Sequence, residues 1–265
     1  MFYLYLFIFG TAIGSFLNVL IDRLPNNESI MGRSHCDYCR KKIKWYDLVP
    51  IVSYFLLSGK CRYCKKPLSW TYPLVEFITG VMFVFVWHSL PYSSLAKGLQ
   101  QLPETEFLIR FVYLAIVSSM IVIFFSDAKY HIISDQMQIT LFALSLFLIP
   151  LQGFIPQVFL MRVIGALFIM SIIYFLYFIT KGKGMGFGDV KLAFTIGFLF
   201  GIKGGIAVLY IAFVTGAVFG LILMAFRRKN LKSKIAFGPF LVFGMIILLF
   251  WQDKVFNFIN NLYGM

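Results

Sequence analysis

Charge is scarce in this sequence, and negative charge is scarcest. Only 13% of residues are charged, against roughly 25% in a typical soluble domain, and just 11 are acidic beside 24 lysines and arginines. That poverty excludes an ordinary water-soluble globule. It also makes each acid informative. Histidine is nearly absent, with three in the chain, and no serine–histidine pair stands near the conspicuous acids. No dinucleotide-type glycine fingerprint, internal repeat, low-complexity tail or long linker is found. The first apolar run has no basic stretch before it and carries Gly14, Asn18 and Asp22 where a cleavable signal would have small residues, so it reads as a retained helix.

What fills the chain instead is apolar: 60% hydrophobic and 19% aromatic residues. About 20 apolar residues are needed to cross a bilayer. Eight runs qualify as candidates, at 2–22, 72–90, 107–126, 137–151, 157–180, 190–202, 205–226 and 235–251, the fourth and sixth being short. Residues 48–57 are too few to span and read as an interfacial or buried segment. The expected fold is an all-α polytopic membrane protein of about eight transmembrane helices with a small, zinc-stapled insertion. Its parts are a first helix at 1–22, a four-cysteine domain at 23–71 and a membrane core at 72–265. Gly10 and Gly14 stand at small-xxx-small spacing, which favours close helix packing.

The net charge of +13 is concentrated. Ten lysines and arginines lie between the first two runs, five between the last two (Arg227, Arg228, Lys229, Lys232 and Lys234), and Lys129, Lys181 and Lys183 in two further loops. Eight spans put all four loops on one side, leaving little but Lys97 and Lys203 opposite. The positive-inside rule then places the insertion in the cytoplasm and both termini outside. The aromatics sit in the spans and do not interleave with the basic loop, so the partner expected from this charge is the lipid bilayer and not nucleic acid.

All four cysteines fall in the insertion, as Cys36-Asp37-Tyr38-Cys39 and Cys61-Arg62-Tyr63-Cys64. Two CxxC knuckles about twenty residues apart match a closed four-thiolate zinc site. Arg40, Lys41, Arg62 and Lys65 are placed to offset its charge. Two disulfides, a redox pair or free thiols are the other readings. A reducing compartment disfavours the first, and the absence of a βαβ setting disfavours the second.

The acids that draw chemistry are two. Asp189 follows Gly184-Met185-Gly186-Phe187-Gly188 and opens the sixth run, while Asp127 directly follows the third. Membrane-edge carboxylates are costly unless they line a polar cavity, pair or react. On this topology the two lie at matching depth, as an aspartyl dyad requires, with one proton shared between them. Gly186 and Gly188 would let an extended peptide approach. The plainer reading is two helix-end carboxylates, Asp189 capping a helix that begins at Val190. Asp135 reads as a cap for a helix starting near Met137, Glu76 as paired with a basic group or lining the cavity, and His88 and His131 as interfacial.

These motifs together resemble the type IV prepilin peptidases, a group within the GxGD aspartic membrane proteases. The resemblance runs through Gly14-Ser15-Phe16-Leu17-Asn18-Val19 with Arg23-Leu24-Pro25, then Arg33-Ser34-His35-Cys36, both CxxC pairs and Tyr72-Pro73-Leu74-Val75-Glu76. It continues through Asp127 with Asp135 and ends at Gly186-Phe187-Gly188-Asp189. It covers nearly the whole chain in order. Two departures stand out: Ser134 occupies the usual proline before the second acid, and Val49-Pro50 replaces an Asn-Pro. The resemblance implies a bacterial inner-membrane endopeptidase with Asp127 and Asp189 catalytic. Such an enzyme cuts the basic leader of prepilins or pseudopilins at the cytoplasmic face. It also implies methylation of the new N-terminus with S-adenosylmethionine. Competing readings are an ion-coupled transporter, which wants midplane acids and repeats, a zinc-dependent membrane sensor, and a protease of remnant signal peptides.

Overall fold

The computed structural model describes residues 1–36, 38–89, 103–151, 155–182, 184–226 and 236–263. Lys97, Lys183 and the basic residues from Arg227 to Lys234, on which the charge argument partly rests, lie outside them. Eight α-helices are present among the described residues: α1 (Phe2–Arg23), α2 (Val52–Leu56), α3 (Thr71–Ser89), α4 (Pro103–Tyr130), α5 (Asp135–Leu151), α6 (Pro156–Ile179), α7 (Phe187–Ala225) and α8 (Gly238–Tyr263). No β-strand occurs among the described residues. The chain is a multi-pass membrane protein: α1, α3, α4, α6, α7 and α8 are long and apolar enough to cross a bilayer. Helices are what such runs must form, since lipid offers no partner to a backbone N–H or carbonyl.

α4 lies at the centre, touching α1, α3, α5 and α8. Its Ile116, Val117, Met120 and Ile123 are fully buried, at the spacing of one helical face. Around it, α1 pairs with α3, and α6 with α7. Large apolar side chains such as Phe175, Phe178, Tyr210 and Leu221 point outward and stay exposed. That outer surface suits a lipid solvent.

The eight-run pattern meets the helices with informative differences. α7 has 39 residues, and Gly201 within it is non-helical at φ 68, ψ −172, a conformation that favours glycine. A Cβ placed on Gly205 would sit 3.6 Å from the Gly197 Cα, whereas eight residues of straight helix span about 12 Å. The chain therefore folds back at Gly201, and α7 is two limbs that account for the sixth and seventh runs. α4 continues past Ser126 to Tyr130, because Lys129 and Tyr130 find polar partners and the helix stops only where His131 turns left-handed (φ 55). α8 likewise runs beyond residue 251, with a break at Trp251.

Gly10 and Gly14 do allow the close approach that their spacing suggests. A Cβ on Gly10 would lie 2.8 Å from the Gly80 Cα, and one on Gly14 2.7 Å from the Glu76 Cα. A leucine at Gly14 must push α1 off α3, at a cost of about 1–3 kcal/mol for an overpacked interface. Gly14→Leu should lower the melting temperature of the purified protein by several degrees. Gly201→Ala, which meets no atom within 4 Å and carries only backbone strain, should lower it less. Equal stability of Gly14→Leu and the unaltered chain would contradict the packing described here.

Candidate functional site

Two candidate sites lie at one end of the helix bundle. The first is a cavity of about 270 Å³ walled by Asp127, His131 and Ile133, by Gly182, Gly184, Met185 and Gly186 ahead of α7 with Gly188 and Asp189 in its first turn, and by Ala236 and Phe237 ahead of α8. Segments far apart in sequence converge here because the end of α4 and the starts of α5, α7 and α8 lie at one level. Both acids singled out from the sequence line it, each fixed by one backbone N–H. Gly238 N donates to Asp127 Oδ2 at 2.9 Å, and Gly186 N donates to Asp189 Oδ2 at 3.0 Å.

Asp189 is thus a cap and a cavity residue at once. The helix begins at Phe187, three residues earlier than expected, with Gly186 extended at its start. The Asp189 carboxylate reaches back one turn, as acids in a first turn do. Its other oxygen, Oδ1, is buried and has no partner among the described residues. Burying a carboxylate oxygen unpaired is expensive, so this atom points to a water, a proton or a bound group. Gly182, Gly184, Gly186 and Gly188 present bare backbone along the same wall. At Gly238 a Cβ would fall 2.6 Å from Asp127 Oδ2, so only glycine leaves the carboxylate where it is.

Several other residues stand differently from their sequence reading. Asp135 is the first residue of α5 and not a cap ahead of it. Its carboxylate pairs with Lys191 Nζ at 2.7 Å, two residues beyond Asp189, at an exposed position where such a pair contributes about 0–1 kcal/mol. His131, read as interfacial, lines the cavity. Gln138, passed over altogether, is buried and donates from Nε2 to the Gly188 carbonyl at 3.2 Å, and its own Oε1 is unpaired among the described residues. It ties the first turn of α5 to the glycine before Asp189. A polar residue on the inner face of an apolar helix was the available signal. Both acids sit at helix ends, which is not the midplane placement an ion-coupled transporter favours.

The second site is the cysteine cluster. Each CxxC closes the same small hairpin: Cys36 N bonds Lys41 O and Arg40 N bonds Cys36 O, while Cys61 N bonds Lys66 O and Lys65 N bonds Cys61 O. Arg40 and Lys65 take the matching left-handed position in each (φ 55 and 58). The four sulfur atoms lie within 4.8 Å of one another, and Cys36 Sγ is 3.8 Å from Cys64 Sγ. Sulfurs at about 2.3 Å from one ion, tetrahedrally placed, would be about 3.8 Å apart. The cluster therefore fits a four-coordinate metal ion, and the free cysteines form no disulfide.

The cations beside the cluster make contacts of their own. Arg62 makes a bidentate pair with Asp47, whose side chain is 5% exposed. Lys41 lies over the Tyr63 ring. Arg40 meets His35 at 3.1 Å. Backbone N–H groups, that of Cys64 foremost and that of Tyr63 after it, work against burial and pull the Cys61 thiol down to about 7, as metal ligation by thiolate requires.

A buried acid, Glu76, anchors the insertion to the bundle, and a half-buried one, Asp22, ties three helices together beside it. Glu76 has no basic partner among the described residues. It accepts the Ile51 N–H at 2.7 Å. Ile51 holds φ 62, an outlier for a β-branched residue. Strain of that kind costs about 1–3 kcal/mol, which one charge-assisted hydrogen bond of about 1.5–3 kcal/mol offsets. Asp22 accepts Lys129 Nζ at 2.6 Å and the hydroxyls of Tyr72 and Tyr130 at 2.9 Å each. Since Lys129 shares its helical turn with Asp127, the insertion and the aspartate cavity occupy the same end of the bundle. The short 48–57 segment forms α2 and its approach, with Val52, Phe55 and Leu56 exposed.

Two family models match. Residues 8–90 match the bacterial peptidase A24 N-terminal domain, and residues 114–221 match the type IV leader peptidase family. Similar proteins named prepilin leader peptidase/N-methyltransferase occur in several bacteria. That of Aeromonas salmonicida (strain A449) is 28% identical over 277 residues, covering 94% of this chain and 90% of its own. That of Bacillus subtilis (strain 168) is 28% identical over 257 residues, covering 96% of each. That of Neisseria gonorrhoeae is 29% identical over 282 residues, covering 96% of this chain and 92% of its own. No solved structure matches this chain.

Cobalt(II) added to metal-stripped protein should give the intense visible bands of a tetrahedral thiolate complex at one equivalent per chain. Cys61→Ser should shift those bands and weaken binding at least tenfold, in line with loss of one thiolate ligand. A spectrum of octahedral, oxygen-ligated cobalt would rule out the four-sulfur cluster as a metal site.

Proposed function

We propose that this chain, matched along most of its length by the two family models, is a type IV leader peptidase and thus a membrane aspartic endopeptidase. It removes the basic leader of type IV prepilins or pseudopilins at the cytoplasmic face of the bacterial inner membrane and N-methylates the new N-terminus. The observation that carries the peptidase reading is the convergence of Asp127 and Asp189, 62 residues apart in the chain, on one glycine-walled cavity.

Asp127 and Asp189 are assigned as the catalytic pair. Two carboxylates in one cavity resist double ionisation, so they hold one proton between them. The ionised member takes a proton from water as that water attacks the scissile carbonyl, and the protonated member donates to the carbonyl oxygen. The backbone N–H bonds from Gly238 and Gly186 hold one oxygen of each acid and orient the other for this work. Gly186 and Gly188 position the substrate. With no side chains there, an extended leader can lie against the wall beside Asp189. The family resemblance and the location of the cavity at a helix-end level suit a substrate whose leader stays in water while its apolar helix lies in the bilayer.

The four cysteines are assigned to one zinc ion that staples the insertion, itself too small to have much of a core. Because all four positions are thiolates, the ion's role is structural. Methylation draws on the relatives' names and on resemblance, with S-adenosylmethionine as the donor. We assign the parts of the chain as a first helix (1–22), the zinc-stapled domain (23–71) and the peptidase core (72–265).

The insertion is assigned to the cytoplasm from its lysines and arginines. A cysteine introduced at Arg40 should then be protected from an impermeant thiol reagent in intact cells, and one at Lys203 should be labelled. Labelling of both from outside would invert or abolish this topology.

The decisive test of the dyad is substitution. Asp127→Asn and Asp189→Asn each keep side-chain size but remove the titratable group. Each should reduce prepilin cleavage by about a thousandfold or more, and the double variant should lose little beyond either single one, as residues acting as a unit do. Metal analysis should find one zinc per chain in all of them. Cleavage within tenfold of normal by either stably folded single variant would end the aspartyl-protease reading.

A further inference from the structure

The cysteine insertion carries an apolar surface of its own. Leu56 is 80% exposed, Trp70 65%, Phe55 58% and Val52 52%. Val52, Phe55 and Leu56 share one face of α2, at spacings of three and four residues. The Phe55 ring lies 5.9 Å from that of Trp70, and the Tyr54 ring 5.4 Å from it. Large apolar side chains gathered in one exposed patch mark a surface that something covers. α2 has only five residues, too few to be a stable helix in water without such cover.

What adjoins the patch identifies the cover. Trp70 stands at the start of α3, and its carbonyl accepts the Leu74 N–H. From Trp70 the exposed side chains run down α3 as Leu74, Phe77 and Val81, at intervals of four, three and four residues, which is one helical face. α3 is among the helices long and apolar enough to cross the bilayer, so this stripe faces acyl chains. The patch continues the stripe past the helix start. Its depth is fixed as well. Glu76, in the second turn of α3, accepts the N–H of Ile51 at 2.7 Å, and Ile51 is the residue just before α2. α2 is therefore held beside the first turns of a spanning helix and cannot stand off in water. Residues 23–70 around it hold ten lysines and arginines against three acids, Glu28, Asp37 and Asp47. That is the sign phosphate headgroups attract. Tryptophan is also enriched at this level of a bilayer.

We propose that the patch is a membrane anchor. α2 and Trp70 lie in the boundary between headgroups and acyl chains, and the four-cysteine insertion is seated on the bilayer surface through them. Glu76 grips the backbone ahead of α2, and lipid takes its side chains. The anchor does not depend on which reaction the aspartate cavity performs.

Photolabelling from lipid tests this on the unaltered, full-length, metal-loaded protein. The protein is placed in phosphatidylglycerol nanodiscs that include a phospholipid with a diazirine near the glycerol end of one acyl chain. After illumination, peptide mapping should find lipid adducts on 52–56 and on Trp70 within about threefold of the yield on Leu74 and Phe77, as for an interfacial helix. The CxxC hairpins should carry fewer adducts by about tenfold or more, since they lie outside that boundary. Adducts on Leu74 and Phe77 with none on 52–56 would overturn the anchor and leave the patch to a protein partner. A second variant joins Phe55→Glu to Leu56→Glu, both at exposed positions. Labelling of Val52 should fall by about tenfold, because two carboxylates draw α2 out of the acyl boundary, while labelling of Phe77 and metal binding stay as they were. Labelling of Val52 that persists unchanged in this variant would equally refute the proposal.

Discussion

The carboxylate of Asp22 is the contact on which the arrangement of this molecule depends. It gathers an ammonium and two phenols from α3 and α4 at the end of α1. An acid at the edge of an apolar bundle is costly unless satisfied, and this one is satisfied only if three helices end together. Once they do, the insertion that begins one residue later must sit over that end, and the last turn of α4 is held with Asp127 on its far side.

The same logic, polar groups satisfied across helix ends, repeats round the rim. Glu76 holds the insertion through Ile51. Gln138 holds the glycine before Asp189. Asp135 meets Lys191 beside it, more weakly because water screens the pair. Gly238 closes on Asp127 from α8. The helices provide a rigid apolar scaffold, and the chemistry is confined to its rim, where backbone N–H groups at helix starts are free to hold carboxylates. That is why both aspartates are gripped by main chain. A main-chain donor cannot swing away as a side chain can, so each carboxylate keeps one oxygen fixed and one disposable.

The metal cluster shows a parallel economy. Two hairpins of identical hydrogen-bond pattern bring four thiols together, and their own backbone N–H groups ease the loss of the Cys61 proton. The lysines and arginines nearby are engaged with tyrosine rings and Asp47 instead.

Local patterns were legible in the sequence by itself. Runs of apolar residues located the helices, since lipid leaves no other way to satisfy a backbone, although α8 continues twelve positions past its run. CxxC spacing marked a thiol cluster, and Gly10 with Gly14 marked a close helix contact. The glycine alternation before Asp189 marked an unusual helix start. Only the tertiary structure decided what pairs with what. Asp22 with Lys129, Glu76 with Ile51, Gln138 with Gly188 and Asp127 with Gly238 join residues between 25 and 111 positions apart. No periodicity encodes such partners, because each depends on which helix ends share a level. The turn at Gly201 belongs to the same class. A glycine inside a long apolar run is compatible with a straight helix or a reversal, and the packing of α6 against both limbs selects the reversal.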